Sequence, residues 1–305
     1  MNQPMHLRTV RTVAALRAAV SAERRSGQTI GLVPTMGSLH DGHLSLMRAA
    51  AEQCGFVVMS LFVNPAQFGP GEDFDRYPRD ERRDAELASA CGVDLLFAPP
   101  LEEVYPDGFS TSVQVAGLTD VMCGAPGSRG RSHFTGVATV VAKLLNMCEP
   151  DVAFFGQKDF QQSLVIRRFV RDLNIPARIE VCPTVREPDG LALSSRNAYL
   201  DAEQRERAAS LNRALGAAAR AAQDGAARAQ VRDAALEVLG AAGVDPEYVE
   251  VLRADDLSAP RWQPGERLVV AIAAPVGRAR LIDNTLIELP IPSERPADAV
   301  ALVSD

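Results

Sequence analysis

The side chains with the most chemistry to offer lie near the front of the chain. His40 and His43 flank Asp41 and Gly42 within the stretch TIGLVPTMGSLHDGHLSLMRAA. Imidazoles at this spacing share a face on a helical turn. Just ahead of them, Thr35, Met36, Gly37 and Ser38 form a turn-prone run; just after them, Leu44, Met47, Ala51 and Cys54 recur at helical spacing. The apolar run Ile30-Gly31-Leu32-Val33 is short enough for a buried strand, and Pro34 is expected to stop it. The pattern is therefore strand, glycine-bearing loop, histidine pair, helix. A helix start presents free N–H groups and a partial positive charge, which suits phosphate. Two imidazoles beside those donors suit a phosphate chain on which charge builds during reaction. Zinc is the competing reading of His-x-x-His. Only His6 and His133 remain elsewhere, and Cys54, Cys91, Cys123, Cys148 and Cys182 show no ligand spacing beside the pair, whereas zinc sites generally want about three or four protein ligands.

Other polar segments could join this one. Asn64, Pro65, Ala66, Gln67 and Phe68 follow an apolar run; so do Gly156, Gln157, Lys158 and Asp159, with Gln161 and Gln162 behind them. Gln67 and Gln162 could bind a substrate carboxylate and hydroxyls, although a lone glutamine is more often a surface residue. Lys158 beside Asp159 is either a solvated pair or a phosphate lysine at a strand end. Leu193, Ser194, Ser195, Arg196 and Asn197 offer two hydroxyls and a guanidinium, either a phosphate clamp or a helix cap ahead of Asp201.

The elements that must position these groups follow from periodicity. Residues 12–25 carry an amphipathic helix, 56–63 a continuous apolar strand, 79–91 a helix, 93–97 a strand, 136–147 a helix, 151–155 a strand, 161–173 a helix and 177–182 a last strand. Alternating strands and helices imply βαβ units and a mostly parallel sheet, whose ligands bind beyond the carboxyl ends of the strands. The polar segments after each strand, including one after Val185, should then meet in a single cleft. From Asp201 the texture changes to alanine-rich helices, the second over 230–241, followed by strands at 247–252, 267–273 and 279–282 and one more at 285–289, with a turn at Pro275-Val276-Gly277-Arg278. The fold class is α/β: a Rossmann-like parallel-sheet domain over 1–184, a smaller α+β domain over 185–289, and a proline-bearing, mobile tail over 290–305.

Composition narrows the function. A chain of 305 residues, 47% hydrophobic, has the composition of a globular protein with a sizeable core. A net charge of −7 argues against a general nucleic-acid binder while leaving room for a local basic pocket. No apolar run approaches the ~20 residues of a membrane span. The first residues lack a signal-peptide core, and five scattered cysteines fit reduced thiols and the cytoplasm.

The run Pro34 to His43 closely resembles the signature of the pantoate–β-alanine ligases, also called pantothenate synthetases. Phe62-Val63-Asn64-Pro65 with Gln67-Phe68, Tyr77-Pro78-Arg79, Tyr105-Pro106-Asp107-Gly108, Phe155-Gly156 with Lys158-Asp159 and Gln161-Gln162, and Leu193-Ser194-Ser195-Arg196-Asn197 match it in the same order. The resemblance spans about residues 8 to 289, and His-x-Gly-His alone marks a wider nucleotidyltransferase superfamily. It implies a Rossmann-like domain with a smaller lid domain, a homodimer, and ATP with Mg2+. It further implies ATP contacts from Met36, Gly37, Ser38, Leu39, His40, Asp41, Gly42, His43, Gly156, Gln157, Lys158, Asp159, Val185, Leu193, Ser194, Ser195 and Arg196. His43 resembles the family's proton donor, Gln67 a contact to pantoate and β-alanine, and Gln162 a contact to pantoate. Three departures stand out. Gln157 replaces a frequent glutamate, Arg83 precedes Asp84 where some relatives pair acids for magnesium, and either Arg129 or Arg131 fills the arginine position ahead of His133-Phe134.

The implied reaction joins pantoate to β-alanine through a pantoyl-adenylate, with His40, His43, Lys158 and Arg196 stabilising the charge that shifts onto pyrophosphate. Two alternatives differ in class. One is another His-x-Gly-His nucleotidyltransferase with a second phosphate site. The other is a nucleotide sensor that binds ATP without turnover.

Overall fold

The computed structural model describes residues 7–69, 72 and 74–291. His6 and the tail from Pro292, anticipated as mobile, lie outside the described residues. In chain order the elements are β1 (Arg8–Val10), α1 (Val13–Arg25), β2 (Ile30–Thr35), α2 (Asp41–Gln53), β3 (Phe56–Leu61), α3 (Glu81–Ala90), β4 (Leu95–Phe97), α4 (Leu101–Val104), α5 (Gly130–Cys148), β5 (Val152–Gly156), α6 (Phe160–Asp172), β6 (Arg178–Cys182), α7 (Ala202–Gln223), α8 (Arg228–Ala241), β7 (Tyr248–Arg253), β8 (Arg267–Val276) and β9 (Ala279–Glu288).

The first six strands form one parallel sheet in the order β1-β4-β3-β2-β5-β6. Its direction of growth reverses at β2, which pairs β3 on one side and β5 on the other. A ligand crevice opens beyond such a reversal, because the connections leave in opposite directions. Helices cover both faces. Leu16, Phe97, Leu145 and Ile166 pack on one side; Met47, Met59, Leu96 and Phe154 pack on the other. Each of these is almost fully buried, a contribution of about 1.5–3 kcal/mol per large apolar side chain.

Pro34 does not end its strand. It pairs in register with Ser60, and β2 runs on to Thr35. Pairing with β5 covers only Gly31 and Leu32, so by Pro34 the strand has one open side, the setting in which sheets tolerate proline. The helix expected from Gly136 begins six residues earlier, at Gly130. Gly136 serves packing instead: a Cβ there would stand 2.1 Å from the Ala66 carbonyl oxygen. The buried stripe of α2 is Leu44, Leu46, Met47 and Ala50, while Ala51 faces solvent.

The C-terminal sheet is antiparallel, β7-β8-β9. Strand β8 alternates between two cores. Leu268, Val270, Ile272 and Ala274 pack with α7 and α8, whereas Val269 and Ala271 join the core of the parallel sheet. The three-stranded sheet is thus wedged between its own helices and the N-terminal unit. β8 continues through Pro275, leaving only Gly277-Arg278 as the turn, and the two short strands anticipated at 279–282 and 285–289 are one continuous β9.

Candidate active site

Strand β2 delivers its loop at the switch point. Gly37 (φ +84°) and Ser38 (φ +54°) turn the backbone sharply. A Cβ at Gly37 would meet Leu61 at 2.6 Å and the Asp84 carboxylate at 2.8 Å, so only glycine fits. Asp84, on α3 and 1% exposed, accepts the backbone amides of Ser38 and Leu39, each at 2.9 Å. With each oxygen accepting a backbone amide, Asp84 braces the loop. Among the described residues no cluster of three or more His, Cys, Asp or Glu could hold a metal ion.

His40 caps α2, its Nδ1 accepting the Gly42 amide at 3.2 Å; His43 Nδ1 accepts the His40 amide at 3.4 Å. With Nδ1 accepting on both rings, the remaining proton of each neutral imidazole sits on Nε2. The rings lie against each other with centroids 4.1 Å apart. Burial, reinforced by Lys158, lowers His40 to about 4, and burial with the neighbouring His40 and Lys158 lowers His43 to about 3. Both are neutral at pH 7 in the ligand-free protein and offer N–H donors rather than full protons.

The loop after β3 supplies a polar network. Tyr105 donates to Asn64 Oδ1 (2.8 Å); the Asn64 amide donates to Gln67 Oε1 (3.0 Å) and to the Gly136 carbonyl (3.1 Å). Gln67 Nε2 in turn reaches Met36 Sδ at 3.1 Å, tying this loop to the histidine loop. His133 Nδ1 donates to the Gln67 carbonyl (2.8 Å), and its Nε2 receives Arg129 (3.3 Å). Desolvation, together with Arg129, lowers His133 to about 4. Arg129 also holds Glu72 at 2.7 and 3.2 Å, whereas the exposed Arg131 pairs with Asp120. Arg129 is therefore the arginine that lines the cleft.

Strand β5 ends in Gly156, and Gln157–Asp159 form a single 3-10 turn before α6. The buried Asn284, on β9, donates to the carbonyls of Gln157 (3.0 Å) and Lys158 (2.9 Å). Its neighbour Asp283 binds Arg186 at 2.6 and 3.0 Å. Arg186 pairs with Ala192 across a narrow hairpin, which is closed where the Val185 carbonyl accepts the Leu193 amide at 3.0 Å. Leu193 lies against the histidine loop, 3.7 Å from where a Gly42 Cβ would stand. Lys158, Asp159, Ser194 and Arg196 then line one cavity of about 820 Å3. A smaller neighbour of about 50 Å3 shares Lys158, Asp159 and Arg129 and adds His133 and Gln162.

Both glutamines border this second space, and the buried Gln161 is tied by its side chain to Cys123, Leu118 and Val121 of the preceding loop. Sequence reasoning left out Asn284, Arg129, His133 and Tyr105 as site residues. The paired polar residues Asp283 and Asn284, directly after the apolar Leu281-Ile282, were the available signal.

The family model for pantoate-beta-alanine ligase matches residues 8–286. Among curated relatives, the pantothenate synthetase of Moorella thermoacetica is 54% identical over 284 residues, covering 92% of this chain and 98% of that protein. That of Paramagnetospirillum magneticum is 53% identical over 291 residues, covering 94% and 100%. The crystal structure of pantothenate synthetase from Thermus thermophilus superposes with a TM-score of 0.83 at 50% identity, covering 91% of this chain and 98% of that one. A pantoate-beta-alanine ligase from Francisella tularensis, complexed with beta-gamma ATP and beta-alanine, gives a TM-score of 0.73 at 31% identity, covering 92% and 97%. With the switch-point loops, the histidine pair and this likeness over nearly its whole length in agreement, the chain belongs to the pantoate–β-alanine ligase family.

Proposed function

We propose that this chain condenses (R)-pantoate with β-alanine at the expense of ATP, giving pantothenate, AMP and pyrophosphate. The observation that carries the reading is a cavity lined by Lys158, Ser194 and Arg196, with His40 within electrostatic reach of Lys158, in a chain of this family. In the first step a pantoate carboxylate oxygen attacks the α-phosphorus, and the bond to the bridging oxygen breaks, releasing pyrophosphate. Negative charge moves onto the leaving oxygens. In this reading the Nε2–H groups of His40 and His43, the amino end of α2, Lys158 and Arg196 receive it. Met36 to His43, Gly156 to Asp159, Val185 and Leu193 to Arg196 form the ATP contacts in this reading; Gln67 holds pantoate and β-alanine, and Gln162 pantoate. In the second step the neutral amine of β-alanine attacks the pantoyl carbonyl carbon, AMP leaves, and the nitrogen gives up a proton. The C-terminal unit acts as a lid that keeps water from the acyl-adenylate.

Magnesium fits this site as a companion of the nucleotide, not as a resident of the protein. Asp84 is committed to the loop, and Mg2+ commonly binds through substrate phosphates and waters. When bound it would neutralise phosphate charge. We further propose a homodimer, as the family resemblance implies, in the cytoplasm, as the scattered cysteines suggest; light scattering on the purified chain tests the dimer.

Exchange of labelled pyrophosphate into ATP, dependent on pantoate and independent of β-alanine, tests the adenylation step. Tight ATP binding without exchange would favour a sensor, and exchange only with a phosphorylated acceptor another nucleotidyltransferase.

A further inference from the structure

The 820 Å3 cavity is walled by an unusual number of cations for a protein of net charge −7: Arg76, Arg129, Lys158, Arg196, Arg278 and Arg280. Three of these, Arg129, Arg196 and Arg280, have local interactions. Arg129 is held by Glu72 at 2.7 Å, and Arg280 by Glu247 at 2.8 Å. Arg76 and Arg278 make no ion pair or hydrogen bond with any described residue. They come from different units. Arg76 ends the 3-10 turn Phe74–Arg76 of the N-terminal unit, and Arg278 sits at the tip of the β8–β9 hairpin.

The hairpin tip is a fixed platform. Its turn is two residues long, with Gly277 at φ +57°, as a tight hairpin with glycine in the first turn position requires. A Cβ on Gly277 would meet the Gln204 side chain at 2.5 Å, so the turn rests against the first turn of α7. Arg278 is thus presented at the cavity wall by packed backbone. Two guanidiniums without partners among the described residues, facing a space that also holds Lys158 and Arg196, match a ligand with several closely spaced negative charges.

We propose that Arg278, aided by Arg76, binds the β- and γ-phosphates of ATP and hence the leaving pyrophosphate. The inference rests on the ligase reading above. The C-terminal unit then contributes a charge to the leaving group as well as cover, and nucleotide binding would draw the two units together through it.

The test is pantoate-dependent pyrophosphate–ATP exchange, run with varied inorganic pyrophosphate on the full chain. Arg278→Ala should raise the half-saturating pyrophosphate concentration by about ten- to a hundredfold, the worth of one charge-assisted hydrogen bond. The half-saturating pantoate concentration should stay within about twofold. Arg278→Lys, which keeps the charge, should recover most of the loss, and Arg76→Ala should show a smaller shift of the same kind. Unchanged pyrophosphate dependence in Arg278→Ala, with normal exchange by the unaltered chain, would overturn this proposal alone. Equal losses for pyrophosphate and pantoate would also overturn it, since they would mark a general structural role. Absence of exchange in the unaltered chain would remove the ligase reading and this inference with it.

Discussion

Two loops lie side by side beyond adjacent strands, and they are held by different parts of the molecule. The histidine loop after β2 is braced by Asp84, a residue of the same unit. The Lys158 turn after β5 is braced by Asn284, which lies on the C-terminal sheet. The first loop is therefore braced chiefly from within the parallel-sheet unit, with Leu193 of the C-terminal unit beside it. The second takes its shape from contact between the units, so any shift of the C-terminal sheet reaches Lys158 directly and the histidines only weakly. This division suits the proposed reaction, in which fixed donors would serve one phosphate and Lys158 the next.

The largest effect is expected for His43→Ala, which should lower the pyrophosphate exchange rate by about two to three orders of magnitude while the fold survives; near-normal exchange would remove the ring from the chemistry. Asp84→Asn should come next. It replaces one of two acceptors with a donor facing a buried amide, at a cost of about 1–3 kcal/mol in chemical denaturation. Activity should fall with it, while the magnesium concentration for half-maximal rate stays unchanged; a large shift in that concentration would restore the ligand role. Asn284→Ala should lower kcat/KM by about tenfold through misplacement of Lys158. The stability difference between His40→Gln and the parent should be the same in that background, because the histidine loop is braced elsewhere; strong non-additivity would join the two loops into one network.

The smallest effect concerns pH. His40, at about 4, His43, at about 3, and His133, at about 4, are all lowered from the ordinary 6.5. The unfolded chain therefore binds protons below pH 6.5 that the folded chain refuses. Their contribution to stability is fully present above pH 6.5 and is lost as pH falls toward 4 and then 3. Thermal melts from neutral pH down toward the lowered His40 value should show a decline that is shallower in a His40→Gln/His43→Gln double variant. An unchanged slope would mean that the rings are not desolvated in solution.

Much of this was legible in the residues. The strand–loop–helix order, the phosphate-suited histidine pair and the separate segments of the cleft follow from period and residue type, because local patterns carry that information. The misreadings share a cause. Pro34 and Pro275 looked like strand ends but lie inside strands, and Gly136 looked like a helix start but lies within α5. Each is tolerated because of what a distant segment does or does not place beside it. The split of β9 at Asp283 and Asn284 arose because two polar residues follow the apolar Leu281-Ile282; both are buried and satisfied by partners far along the chain.

By itself, then, the sequence determined the kinds of elements, the chemistry of the strand-end segments and the family likeness that names the reaction. Only the tertiary structure decided what holds each group: Asp84 as a brace of the histidine loop, Arg129 and not Arg131 at the cavity wall, and Asn284 behind Lys158. Those roles depend on the free hydrogen-bonding capacity and burial of each side chain. Both quantities are set by residues distant in sequence and near in space, which no local pattern records.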